Sequence, residues 1–118
     1  MKTLFVFLAS LLLSAVSFGQ SVTVTGTGCA SISVTGRATV GWQPTGSWSG
    51  TIQPKVSLAG QAAVNTTATP STSTTAAATV TANGGYTTSV SGYDTMLFCG
   101  NTVTGTATIY YVTSEKVH

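Results

Sequence analysis

Charge is what this chain has least of. Only 5% of its 118 residues are charged, four basic and two acidic, with a single histidine. The basic residues Lys2, Arg37, Lys55 and Lys116 are scattered, so no basic stripe exists to release counterions from nucleic acid, and no nucleic-acid partner is expected. A hydrolase or lyase needs a general acid or base and a partner that sets its pKa. Beyond the N-terminal segment the candidates are Asp94, Glu115 and His118, and the last two lie in a polar tail. Asp94 has no second carboxylate to work with. Serine is abundant, yet no G-x-S-x-G elbow occurs, and the Gly-Thr-Gly at Gly26–Gly28 has no following helix to make it a phosphate cradle. The expectation is a protein without catalysis and without a cofactor.

Cysteine is scarce too. The two cysteines, Cys29 and Cys99, together with one histidine at the extreme C-terminus do not make a zinc site. An even count in an exported chain points instead to a disulfide between them, closing most of the domain into one loop. The order Cys29, Trp42, Cys99 is that of immunoglobulin domains, although Leu97 stands where their tyrosine is expected. The pattern supports a sandwich without immunoglobulin kinship.

Long apolar runs are absent but for one. In "MKTLFVFLASLLLSAVSFGQ" a positive start at Lys2 precedes the apolar stretch Leu4 to Val16, and the small residues Ser17 and Gly19 follow. This is the pattern of a secretory signal peptide over residues 1–19, cut near Gly19/Gln20, with an apolar run too short for a comfortable membrane span. No cysteine sits at the cut, so the pattern is not that of a lipoprotein. No later run approaches membrane length, so no stable membrane insertion is expected after removal, and the mature protein is expected to be secreted or held at an extracellular surface.

What is present is threonine, valine and glycine in period-two patterns. Val22 and Val24 share a face, as do Ala30, Ile32 and Val34, then Ala38, Val40 and Trp42, and finally Ala107, Ile109 and Tyr111. Ile52, Val56 and Leu58 surround Pro54, which cannot donate to a ladder and so predicts an edge or a bulge there. "AAATVTA" predicts a further strand and Asn83–Gly85 a tight turn. No helical periodicity occurs outside the signal. About seven to nine short strands in residues 20–113 imply an all-β fold, a small antiparallel β-sandwich of immunoglobulin-like or jelly-roll-like type, with a polar tail over 114–118. The glycosylation pattern at Asn65 is too common to assign a role.

The tryptophans, Trp42 and Trp48, flank Pro44-Thr45-Gly46 in "GWQPTGSWSGTI". Strand parity lets both face inward if the Pro44-Thr45-Gly46 turn reverses the chain, Trp48 being the expected core residue and Trp42 the more exposed ring. Aromatic rings pack well on the C–H faces of sugars, so Trp42, Tyr86, Tyr93 and Tyr110 are the candidate contacts for a ligand or partner. Tyr110 and Tyr111 are adjacent and must point to opposite faces.

The segments "GSWSGTIQPKVSLAG" and "GGYTTSVSGYDTMLFCGNTVTGTATIYY" resemble motifs of small β-sandwich domains of tail-associated or virion-surface proteins of tailed bacteriophages, over about Gly46 to Val112. The resemblance implies a compact structural or adhesive module without catalysis, in which Trp48, Gly50 and Thr51 belong to the first motif and Gly92 and Tyr93 to the second. Ala59 stands where that family often has Asp before Gly60. A signal segment is not expected on a particle protein, so the exported location is the expectation and the phage virion its alternative. Two functions follow. One is an extracellular structural, assembly or adhesion module that meets other proteins or copies of itself, and the other is a carbohydrate-binding module for cell-surface glycans.

Overall fold

The computed structural model describes residues 20–115, so the signal-peptide expectation and residues 116–118 of the tail lie outside it. The described chain is all-β. Its strands are β1 (Ser21–Gly26), β2 (Cys29–Ser33), β3 (Arg37–Thr45), β4 (Trp48–Ser57), β5 (Val64–Asn65), β6 (Thr69–Pro70), β7 (Tyr86–Ser89) and β8 (Thr95–Glu115). All pairings are antiparallel and join into one sheet in the order β5-β4-β8-β3-β7-β6, with β1 and β2 along the same flank of β8.

The 21 residues of β8 organise the molecule. Its first half lies between β2 and β4, and its second half between β1 and β3. The two layers expected of a sandwich are therefore continuous through one bent strand, and the sheet curls into a half-barrel around a single core. The alternation of Ala107, Ile109 and Tyr111 marks only the later part of this strand, which begins at Thr95 and runs through Gly100–Gly105. That segment bends the strand without ending it. Thr102 has φ 55° and Gly105 φ 80°, and the bulge is in β8 itself, where Thr102 and Val103 together face the single Gly50 of β4 between the pairs Ser49/Thr104 and Thr51/Asn101. Bulges of this kind are how a strand turns a corner between packed layers.

The corner inverts side-chain phase. Before it, the even-numbered Met96 and Phe98 are buried; after it, the odd-numbered Val103, Ala107 and Ile109 are. Each half faces the same core only because the bend supplies the extra residue. Elsewhere the inward rows follow period two, with Val24, Ile32, Val34, Val40, Trp42, Ile52 and Val56 all buried.

Several local outcomes differ from expectation. "AAATVTA" makes no strand; it touches the sheet by isolated bridges at Ala77 and Val80, the latter exchanging hydrogen bonds of 2.8 and 2.9 Å with Ile52. Pro54 lies inside β4 opposite Phe98, not at a bulge. It is tolerated because its nitrogen faces away from β8, toward the two-residue β5, on the side where its carbonyl accepts the Thr66 N–H at 3.0 Å. The sheet also runs past residue 113, since Ser114 and Glu115 pair with Thr39 and Arg37.

Candidate functional site

The disulfide is present: Cys29 and Cys99 are direct cross-strand neighbours of β2 and β8 with Cα atoms 4.0 Å apart. The adjoining Gly100 N–H donates to the Gly28 carbonyl at 2.9 Å, which places the cysteines at a non-hydrogen-bonded pair, where facing side chains come closest. The bridge locks the first half of β8 just before the corner.

The aromatic candidates separate sharply. Trp42 is only 2% exposed. Its ring packs 4.9 Å from Phe98 and 5.2 Å from Tyr86, centroid to centroid, and its Nε1–H donates to the buried Thr88 hydroxyl at 3.0 Å. The expectation that Trp42 is the more exposed tryptophan is reversed, because its strand parity was decisive and the curl of the sheet closes over it. Trp48 is half-buried, and its Nε1–H donates to Asn83 Oδ1 at 2.6 Å, while Asn83 Nδ2 donates to the Gly46 carbonyl at 3.0 Å. The chain does not reverse at Pro44-Thr45-Gly46: β3 and β4 follow one another along the same flank of β8, with Thr45 opposite Thr108 and Trp48 opposite Gly105, and Trp48 is only partly buried against the core. Tyr86 and Tyr93 are half-buried against the core, and the Tyr86 hydroxyl donates to the Ala82 carbonyl at 3.0 Å. Tyr110 alone of the four contact candidates is broadly exposed, at 48%.

The motif glycines act through backbone geometry. Gly50 has φ 114°, and a Cβ there would lie 2.6 Å from the Thr102 carbonyl oxygen, so no side chain fits. Thr51 continues β4 opposite Asn101. Gly92, φ 93°, occupies the third position of the turn closed by Tyr93 N–H to Val90 O at 3.1 Å, with open space beside it. The turn at Ala59-Gly60 forms without an aspartate of its own. Gln61 N–H closes it on Leu58 O at 2.9 Å, and Asp94, arriving from the β7–β8 connection, accepts the Ala59 N–H at 3.0 Å.

Tyr110 belongs to a groove of about 500 Å³ on the outer face of the sheet. On this face Gly41 of β3 sits between Val112 of β8 and Thr87 of β7, so a strand position without a side chain forms the floor. Tyr110 and the 63%-exposed Val112 wall one side, two residues apart on β8 and therefore on the same face. Gln43, Ser71 and Thr87 bring an amide and hydroxyls to the rest of the lining. Neither carboxylate, imidazole nor amine lines the groove, and among the described residues no group of three or more His, Cys, Asp or Glu is placed to hold a metal. Such a lining offers apolar contact and neutral hydrogen-bonding groups. Sequence reasoning found Tyr110 and missed Gly41 and Val112. The only available signal was a glycine inside an alternating strand, a position that often marks close approach of something else.

Neither a protein-family model nor a curated protein matches the chain. Its fold does have a solved counterpart. The crystal structure of the SPBc2 prophage-derived protein YomS is similar with a TM-score of 0.68 at 17% sequence identity, over 81% of this chain and 87% of that one. At that identity the likeness shows a shared fold.

Proposed function

We propose that this chain is a non-enzymatic, exported structural or assembly module, built on a sandwich-like β-domain related to those of phage particles, and that the outer face of β3, β7 and β8 is its contact surface. The observation that carries this reading is the groove floored by Gly41 and walled by Tyr110 and Val112. A glycine inside a strand costs about 0.5–1 kcal/mol relative to alanine. Here a Cβ would meet nothing closer than Val112 Cγ1 at 3.6 Å, an ordinary contact, so the fold does not require the gap. A face kept open for a partner would account for it. The fold shared with a prophage-derived protein supports the phage connection, and the disulfide supports an oxidising, extracellular setting.

A second reading, carbohydrate binding, is favoured by the grouping of the Tyr110 ring with the Gln43 amide and the Ser71 and Thr87 hydroxyls, which suits one face and the edge of a sugar. Gly41→Val separates function from folding, because valine fills the groove and favours the strand. For the assembly reading, sedimentation and electron microscopy of the wild type should show concentration-dependent association that Gly41→Val diminishes. For the sugar reading, a glycan array should return hits that Gly41→Val and Tyr110→Ala both lose. Identical association and array results for the wild type and Gly41→Val would remove the groove from either account.

A further inference from the structure

The sheet treats its edges unequally. Two ends of the strand order, β5 and β6, are two residues long, and β6 contains Pro70, the usual means of keeping an edge from pairing with another chain. The flank made by β1 has no such protection. Its six residues, Ser-Val-Thr-Val-Thr-Gly, carry no charge and no proline, and among the described residues β1 pairs with β8 alone.

Hydrogen-bond parity identifies which groups this edge presents. Tyr111 N–H donates to the Gln20 carbonyl at 3.2 Å, which makes Gln20 and Tyr111 a hydrogen-bonded pair. With Ser21 opposite Tyr110 and Thr23 opposite Thr108, Val22 and Val24 then direct their peptide groups to β8, while Ser21 and Thr23 direct theirs away from it. Thr25 also faces outward, but its carbonyl already accepts the Gly28 N–H at 3.0 Å, and the register shifts immediately beyond Val24. The open part of the edge is therefore Ser21 to Thr23.

We propose that β1 is a homotypic assembly edge, pairing antiparallel with β1 of a second copy about a two-fold axis at Val22. This register sets Ser21 of each copy opposite Thr23 of the other, so every outward peptide group of the open edge gains a partner. Val22 meets its own counterpart as a non-hydrogen-bonded pair, with side chains close enough to extend the apolar face that Val22, half-buried, already contributes to. A second copy is the fitting occupant because the edge is uncharged and complementary to itself under a two-fold, the requirement of an isologous interface. The inference adopts the assembly reading in taking a second copy as partner, and it does not depend on the groove.

A single strand pair buries less surface than a stable complex needs, so the dimer should be reversible and visible only at high protein concentration. Sedimentation velocity on the full exported chain should show that dimer, and Thr23→Pro should weaken it at least about tenfold by deleting roughly half of the interchain ladder bonds. The Thr23 N–H lies outside the β8 ladder, so the circular dichroism spectrum should be unchanged; Thr23→Lys, which places a charge on each side of the axis, should have the same effect on association. Val22→Cys should give a disulfide-linked dimer on a non-reducing gel, whereas Thr23→Cys should not. A monomer at every concentration overturns the proposal, as does a dimer indifferent to both Thr23 variants or lost with Ser31→Pro on β2. If Gly41→Val dissolves the dimer and the Thr23 variants leave it intact, the face is the interface and the edge is not; the reverse result retains the edge and removes the groove from assembly.

Discussion

Trp42 and Trp48 show how one residue type takes two roles within six positions of sequence. Trp42 lies in the core, packed at tilted angles against Phe98 and Tyr86 and anchored on Thr88, whereas Trp48 is tied by Asn83 to the Gly46 carbonyl at the edge of the core. Their fluorescence should therefore differ. In Trp48→Phe the remaining emission should be blue-shifted and poorly quenched by acrylamide, and efficient quenching of that variant would contradict the burial of Trp42. Trp42→Phe should cost about 1–3 kcal/mol in chemical denaturation, because it leaves the buried Thr88 hydroxyl without its donor as well as a smaller ring in the core. Asp94 is a second residue whose role depends on its place. It accepts the Ala59 N–H through its carboxylate, receives the Val34 N–H on its carbonyl at 3.0 Å, and donates its own N–H to Ser57 at 3.2 Å. The aspartate absent from position 59 in sequence is thus supplied by the chain just before β8, the neighbouring strand.

At the scale of the element, the corner of β8 is the decisive feature. Gly50 and Gly105 sit on facing strands at that corner, and a Cβ at either would lie 2.6 Å from a carbonyl oxygen across it, that of Thr102 in β8 for Gly50 and that of Ser47, just before β4, for Gly105. Gly50→Ala combines this clash with an unfavourable positive φ and should destabilise by roughly 2 kcal/mol or more, read as a fall in the urea midpoint. Gly92→Ala meets open space and suffers only the backbone term, so the expected loss is about 1 kcal/mol. Next to the corner, the disulfide spans a sequence separation of 70 residues, which in the chain-entropy model corresponds to about 4 kcal/mol of stability. The Cys29→Ser/Cys99→Ser double variant should lose an amount of that order, and addition of a reductant to the wild type should have a similar effect. An unchanged midpoint in both would place the stability elsewhere. The strands flanking the corner were legible from alternation alone, as in Val22/Val24 and Val40/Trp42. The continuity of β8 was not, because it passes through a bulge with positive φ at Thr102 and is held in the sheet by pairing with β4.

For the molecule as a whole, the outer face and the β1 edge are independent surfaces, and variants can address them one at a time. Gly41→Val should leave thermal stability equal or slightly raised, since it adds a β-branched side chain to an extended strand position with room for it. A marked loss of stability in that variant would mean the groove is part of the packing and not a vacancy kept for a partner. The sequence by itself determined the all-β character, the inward rows of most strands and the cysteine pair available for bridging. These follow from period-two alternation and residue chemistry, which are local. Only the tertiary structure decided that the strands join in one curled sheet, that Trp42 is enclosed, and that Gly41, Val112 and Tyr110 meet on one face. Those outcomes depend on where a bulge shifts the phase of a strand and which strand lies beside it, and both are set by pairings between residues far apart in the chain.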